Sequence, residues 1–439
     1  MKRTKRMTRR DFLWLASVSS VGVMTGCAVN PVTGDRQLML MSEQQEISLD
    51  QENSPHQFSS DYGAVQDQAL NDYLSQVGND MAASSHRPDM PYSFRVVNAT
   101  YVNAYAFPGG SIATTRGILL ELDNEAELAG LLGHEIGHVN ARHTAERMSK
   151  GLLANLLVTG ASVYAESQGS DWAPLIGLGG NIAAGALLAK YSRDDERQAD
   201  ALGMEYMTNV GYSPEGMIGL MEVLVGISDH KPSTIDMMFA SHPMSEERYQ
   251  TAKNRAAADY RNAQHFPMYR ERYMDYTAAL RRMRATIESL QDGEEAMGQK
   301  KFSRAEDYFA EALREAPYDY AGLVLMSKCQ LALDNPQEAE YYAEQARDVY
   351  PQEAQAAQID GIAKLGQNNF DGAYEAFDSY DRLLPGNPGI AFLKGYSLES
   401  MGHRQEAANE YYRYLQTVDQ GEQARYAYQR LVRWGYIQP

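Results

Sequence analysis

The chain has 439 residues, 44% of them hydrophobic, enough for two or three domains with buried cores. Its formal charge is −18, and the first 26 residues carry six basic and one acidic side chain, so the remainder stands at −23. A surface this acidic argues against nucleic acid or anionic lipid as electrostatic partners. The two cysteines, Cys27 and Cys329, cannot build a zinc ribbon or a disulfide framework.

Residues 1–26 read as an export signal. Lys2, Arg3, Lys5, Arg6, Arg9 and Arg10 form a basic head, and residues 12–26 are uncharged, largely apolar and too short to span a bilayer. Arg9-Arg10-Asp11-Phe12-Leu13 resembles a twin-arginine signal, and Met24-Thr25-Gly26-Cys27 resembles a lipobox with Met24 where leucine is usual. That likeness implies cleavage before Cys27 and lipidation of its thiol, and Ala28 implies sorting to the outer membrane. A conventional signal on a soluble protein is the alternative, and the export route stays open. Residues 27–60 follow as a leader from the anchor, turn-rich at first and then helical from Ser42.

Residues 67–84 place Leu70, Tyr73, Leu74, Val77 and Met81 on one helical face. Residues 92–97 alternate as a strand does, and residues 101–107 and 111–115 follow as two more, turned by Pro108-Gly109-Gly110.

The centre of the sequence is Leu131-Leu132-Gly133-His134-Glu135-Ile136-Gly137-His138, on a helix predicted over residues 124–147. Four residues apart, His134 and His138 share one helical face and can hold one Zn²⁺, with Glu135 placed to take a proton from the attacking water. Small and apolar neighbours allow such a helix to be buried. The bland alternative is an amphipathic helix that happens to carry two histidines and a glutamate. Residues 151–190 form a Gly/Ala/Leu-rich insert. Its uncharged run at 172–189 reaches the length of a membrane span, but Pro174, Asn181 and four glycines make it only modestly hydrophobic; buried or cleft-covering helices are expected, with a span as the alternative.

A third ligand is needed, and Glu196 and Asp200 lie four apart on the next helix, flanked by Ala199, Ala201 and Gly203. Glu196 can ligate the metal, and Asp200 can accept a hydrogen bond from a ligand imidazole and fix its tautomer. Residues 204–227 read as helix, residues 228–233 as a loop, and Ser241-His242-Pro243 follows. His143 reads as structural, and His56, His86, His230, His265 and His403 have no constellation around them.

The combination of His-Glu-x-x-His with Ser192-Arg193-x-x-Glu196-x-x-Ala199-Asp200 resembles the gluzincin metallopeptidases related to the CAAX prenyl protease, in particular their bacterial periplasmic, repeat-bearing members. Asn103-Ala104-Tyr105-Ala106-x-Pro108-Gly109-Gly110 resembles the family's strand before the zinc helix. Ser241-His242-Pro243 with Glu247-Arg248 resembles its last active-site segment. The resemblance implies a substrate-docking edge strand at Asn103, Ala104 and Tyr105, the alternative being a plain structural hairpin. It also implies that His242 acts in the site, either as a donor to the oxyanion or as a fourth zinc ligand that keeps the enzyme latent.

Residues 256–297 read as a charged linker region with helical stretches, after which the period changes. Ala305, Ala339, Ala373 and Ala407 recur at 34 residues, as do Pro317, Pro351 and Pro385, while Phe309, Phe377 and Tyr411 are equivalent and Gly293 lies twelve before Ala305. This is the tetratricopeptide signature, and it predicts a superhelix whose concave face holds peptides or a partner. The fourth unit, with Asp419 where proline would fall, reads as a cap.

The expected fold is therefore α+β and mainly helical. A zincin-like metallopeptidase domain (61–265) is followed by a helical linker (266–290) and an all-α repeat domain (291–439). The expected function is a zinc endopeptidase holding one Zn²⁺ through His134, His138 and Glu196, with Glu135, Asp200 and His242 in catalysis. It is lipid-anchored at Cys27 on the periplasmic face of the outer membrane. Its substrates are misfolded or stalled envelope proteins, and the outer-membrane assembly machinery is an implied partner. The alternative is a repeat-based periplasmic chaperone or adaptor in which proteolysis is secondary.

Overall fold

The computed structural model describes residues 27–149, 190–230 and 232–438; the signal at 1–26 and the uncharged run at 172–189 lie outside them. Residues 27–60 are built into the first domain. Strands β1 (Cys27–Val29) and β2 (Arg36–Leu38) pair as a hairpin, and Ser42 opens helix α1 (Glu43–Ser60) with a capping box to Gln45. Glu46 and Asp50 of α1 are buried, and Asp50 Oδ2 accepts a bond from Ser111 N at 2.9 Å.

Helix α2 (Gln68–Ala82) lays its apolar face on a three-stranded sheet of β3 (Ser93–Val97), β4 (Ala104–Ala106) and β5 (Ser111–Thr115), in the order β3-β5-β4. β3 runs parallel and β4 antiparallel to β5, so β4 is an edge. The strand expected at 101–107 is shorter: the Asn103 carbonyl accepts the Thr115 N–H, but its own N–H goes to the Thr115 side-chain Oγ1 and the Val102 N–H turns to the Thr234 carbonyl, so the ladder to β5 ends there. The bond to the Asn103 carbonyl makes Tyr105–Ala113 the next hydrogen-bonded pair and turns the backbone groups of Ala104 and Ala106 away from β5.

After α3 (Arg116–Glu121), Asn124 caps α4 (Glu125–Ala141), and every residue of α4 is buried. It crosses α5 (Arg193–Asn209) with backbones nearly touching. A Cβ on Gly133 would stand 3.0 Å from Gly203, and one on Gly137 would stand 3.0 Å from Ala199. The helix expected over 124–147 is broken at Arg142, which takes a left-handed conformation (φ 60°), and helical structure resumes at His143. The helix expected over 204–227 is likewise two, because residues 210–214 turn through Gly211 (φ 93°) before α6 (Glu215–His230). The expected loop at 228–233 is not one: α6 runs through His230 and α7 (Pro232–Ser241) begins at Pro232, a favoured first helical residue.

Helix α8 (Glu246–Ala258) completes the site. Next, α9 (Arg270–Tyr276) and α10 (Ala278–Arg282) strap the domain, where the sequence suggested a linker. Arg272 forks onto the buried Glu125 at the start of α4, and Arg281 bonds the carbonyls of Leu120 and Leu122.

The repeats begin inside α11 (Arg284–Gly298), so a boundary at residue 291 would cut a helix. Among the described residues α11 pairs with α12 (Phe302–Glu315), α13 (Tyr320–Ala332) with α14 (Pro336–Val349), α15 (Gln355–Gly366) with α16 (Phe370–Leu383), and α17 (Pro388–Ser400) with α18 (Arg404–Leu415). The fourth unit is thus a full helix pair, and the cap is a further helix, α19 (Glu422–Trp434). The period has a steric origin: Gly293, Gly361 and Gly395 lie under the rings of Phe309, Phe377 and Tyr411.

The inner face of the superhelix is occupied by the first domain. Glu294 and Lys328 stand 34 residues apart, at equivalent places in consecutive units. Tyr62 reaches both: its hydroxyl lies 3.3 Å from Glu294 Oε1, and Lys328 Nζ sits 4.8 Å from its ring centroid. Gln355 bonds the carbonyl of Ser59, and Arg116 pairs with Asp319, both side chains buried. Phe58, Tyr62, Tyr105 and Phe107 belong to the same apolar cluster as the repeat core.

Candidate metal centre

Four donor atoms converge between α4, α5 and the turn after α7. His134 Nε2 and His138 Nε2 are 3.0 Å apart, His134 Nε2 and His242 Nδ1 3.3 Å, His242 Nδ1 and Glu196 Oε1 3.1 Å, and His138 Nε2 and Glu196 Oε1 3.4 Å. All four residues are buried. Ligand bonds of about 2.1 Å in a tetrahedron separate donors by about 3.4 Å, so the set fits one divalent cation of the zinc type.

The ligands are held from behind. With Nε2 turned to the metal position, His134 donates Nδ1–H to Asp200 Oδ1 at 2.9 Å. Arg248 of α8 grips Asp200 through Nε and Nη2, each at 2.7 Å, and reaches Glu196 Oε2 at 2.7 Å with Nη1. Burial pushes both carboxyls up. Arg248 outweighs it at Asp200, and His242 and His138 outweigh it at Glu196, so both are held below their ordinary values. Burial drives His138 well below the usual imidazole value, keeping it in the neutral form that ligates metals.

Glu135 has neither function. It is fully buried, both oxygens lack a hydrogen-bond partner, and His242 Nε2 lies 3.8 Å away. Burial raises its carboxyl above the ordinary value, the direction suited to a general base. A buried unpaired carboxylate beside a metal position has a use that a packing residue does not. Tyr191 closes one side, its ring stacked on His138 at 3.8 Å. An apolar cavity lined by Leu131, Met217, Met221, Leu224, Met238 and Met244 abuts His134 and His242 on another.

Among the sequence-predicted residues, His134, Glu135, His138, Glu196, Asp200 and His242 meet at this centre. Ala104 and Tyr105 lie on the buried edge strand β4 and Asn103 directly precedes it, Asn103 with its Oδ1 unpartnered and Tyr105 with its hydroxyl on Asp61. β1 starts at Cys27. Two residues were missed. Arg248 falls in a segment noted for its resemblance, yet its double grip on Glu196 and Asp200 has no local sequence signal. His143, read as structural, accepts His138 Nδ1–H at 2.9 Å and donates to Gln198 Oε1 at 3.0 Å. Its signal was a third histidine five residues past the pair.

A family model described as Peptidase family M48 matches residues 68–256. The beta-barrel assembly-enhancing protease of Yersinia pestis is 29% identical over 226 residues, 48% of this chain and 45% of its own length. This chain therefore spans less than half of that relative. Metalloprotease YcaL of Escherichia coli (strain K12) is 30% identical over 278 residues, 59% of this chain and 99% of its own. Among solved structures, YrrB, described as a TPR protein with an unusual peptide-binding site, covers 48% of this chain at 15% identity and a TM-score of 0.32. With the metal-ligand constellation complete and YcaL matched almost end to end, the chain belongs to peptidase family M48.

Proposed function

We propose that the chain is a zinc endopeptidase of the bacterial cell envelope, kept latent by His242. The observation that carries this is the set of four protein donors at tetrahedral spacing beside an unpaired buried Glu135. Bound there, Zn²⁺ would lower the pKa of a water toward about 7 and polarise a scissile carbonyl. His134, His138 and Glu196 would hold the metal, and Asp200 with Arg248 orients His134. Glu135 takes the proton of the attacking water and delivers it to the leaving amine. A catalytic site needs an open fourth position, and His242 Nδ1 lies where that position falls, which supports a latch over an oxyanion donor.

An extended substrate would pair with the outward backbone groups of Ala104 and Ala106 on β4, giving affinity with little sequence preference. Asn103 Oδ1 offers one further acceptor beside them. The Yersinia pestis relative is named for enhancing beta-barrel assembly, and we extend that setting to this chain: its substrates are misfolded or stalled outer-membrane proteins. The lipobox-like motif supports lipid attachment at Cys27 and a place on the periplasmic face of the outer membrane. The adaptor reading is weakened by the occupied inner face of the repeats.

The test is metal content and casein hydrolysis of the chain starting after Cys27, beside His242→Ala. One zinc in both proteins and higher activity in the variant supports the latch. Activity lost in the variant makes His242 a transition-state donor, and absence of zinc from both overturns the enzyme reading.

A further inference from the structure

The buried glutamate of α1 has no part in the scheme above, yet its contacts lead to the metal centre. Glu46 is 0% exposed. Its Oε1 accepts from Arg142 Nε at 3.0 Å and its Oε2 from Arg87 Nη2 at 2.8 Å. Both arginines serve the end of the helix that carries His134 and His138. Arg87 Nη1 donates to the Val139 carbonyl at 2.8 Å, which also takes the Arg142 N–H as the helix ends. Arg142 Nη2 donates to the Met41 carbonyl at 2.8 Å.

Arg142 is also the left-handed residue at which the helix stops (φ 60°, ψ 33°). Such a conformation is uncommon for a residue with a side chain, and glycine is the usual choice there. Nothing local requires it of an arginine. The side chain is anchored instead to Glu46 and Met41, about a hundred positions earlier in the chain. The turn has one evident result: the next residue, His143, comes back against the metal ligand, 2.9 Å from His138 Nδ1.

We infer that Glu46 is a positioning residue of the metal centre: through Arg142 it fixes the turn that sets His143 behind His138. The inference rests on the zinc reading above, but its failure is separable from that reading, since a chain that binds zinc normally can still lack this dependence. The contacts run Glu46 to Arg142, across the turn to His143, and from His143 to the ring of His138. No member of that series before His138 touches substrate or metal.

The test uses the chain from residue 28 onward with Glu46→Gln, His143→Ala, the double variant, and Asp319→Asn as a control. The control breaks an equally buried ion pair on the repeat side. Two readouts are taken: zinc retention against a chelator, and the visible absorption spectrum of the cobalt-substituted protein. Loss of an outer partner of a metal ligand weakens metal binding by about 10–100-fold. Glu46→Gln and His143→Ala are each expected to do so, to perturb the cobalt spectrum alike, and to combine without adding, because they act in one series. Asp319→Asn should lower thermal stability and leave both readouts at wild type. Should Glu46→Gln fail to fold, Arg142→Lys, which keeps the charge and loses the forked contact, carries the same comparison. Wild-type zinc retention and cobalt spectrum in Glu46→Gln or Arg142→Lys would overturn the inference, as would fully additive losses in the double variant.

Discussion

The buried polar cluster at the metal centre and the one at the seam between the domains are finished differently. At the seam every carboxylate has a partner. Asp61 accepts from Tyr101 and Tyr105, Glu294 from Thr100 and Tyr62, and Glu353 from Tyr320, while Arg116 closes on Asp319. At the metal centre Glu196 and Asp200 are tied to Arg248, but Glu135 is left with both oxygens bare. Burial alone therefore does not mark a functional carboxylate here. A satisfied cluster holds two surfaces together, and a cluster with one group withheld has chemistry still to do.

Removing the withheld group should have the largest effect. Glu135→Gln is expected to retain its zinc and fold while losing about 10²–10⁴-fold in casein hydrolysis, measured with metal analysis on the same sample. Next comes the seam. Asp319→Asn keeps the cap on Gly322 N but breaks the pair with Arg116, and a buried pair broken on one side costs about 3–5 kcal/mol. Urea unfolding should show that loss with zinc content unchanged; a parallel loss of zinc would merge the two clusters into one. Asp200→Asn also breaks a buried pair, with Arg248, so it is read by metal binding rather than by unfolding: zinc retention should weaken about 10–100-fold.

The smallest effect is the pH dependence of the seam. Burial raises the carboxyls of Asp61, Glu294 and Glu353 above their ordinary values. The folded state then holds these protons more tightly than the unfolded chain does. Their contribution is greatest below the ordinary carboxylate range and falls as pH rises through the folded values. Burial also pulls Lys328 down to about 8, so that group disfavours folding below pH 8 and relents as pH climbs from there toward its ordinary value. From neutral to mildly acid pH the carboxylates decide the sign. The melting temperature of the seam should rise by about 2–4 °C for each kcal/mol recovered. Asp61→Asn should flatten the curve.

Much of the metal centre was legible in the sequence because its parts are local. The i, i+4 pairs His134–His138 and Glu196–Asp200 are helical-face statements, and Gly133, Gly137 and Ala199 announce a close helix crossing. The repeats were legible through their period. The break at Arg142 was not, since no glycine or proline marks it and its anchor, Glu46, lies far back in the chain. Pro232 was misread as part of a loop because proline stops one helix and starts another equally well. Arg248 and His143 were underrated for the same reason as Glu46. Their roles exist only once distant segments are packed together.

The inner face of the repeats carries a practical consequence for anyone who dissects this protein. The chain is made from its N-terminus, so Tyr62, Thr100 and Arg116 exist before the units that wind onto them. Cutting the repeats loose would expose Glu294, Lys328, Asp319 and Glu353 as a wet, charged trough that the intact chain keeps covered. Whatever such a fragment captures in a pull-down would report on that trough, and a comparison with the whole chain would separate genuine clients from surrogates for its own first domain.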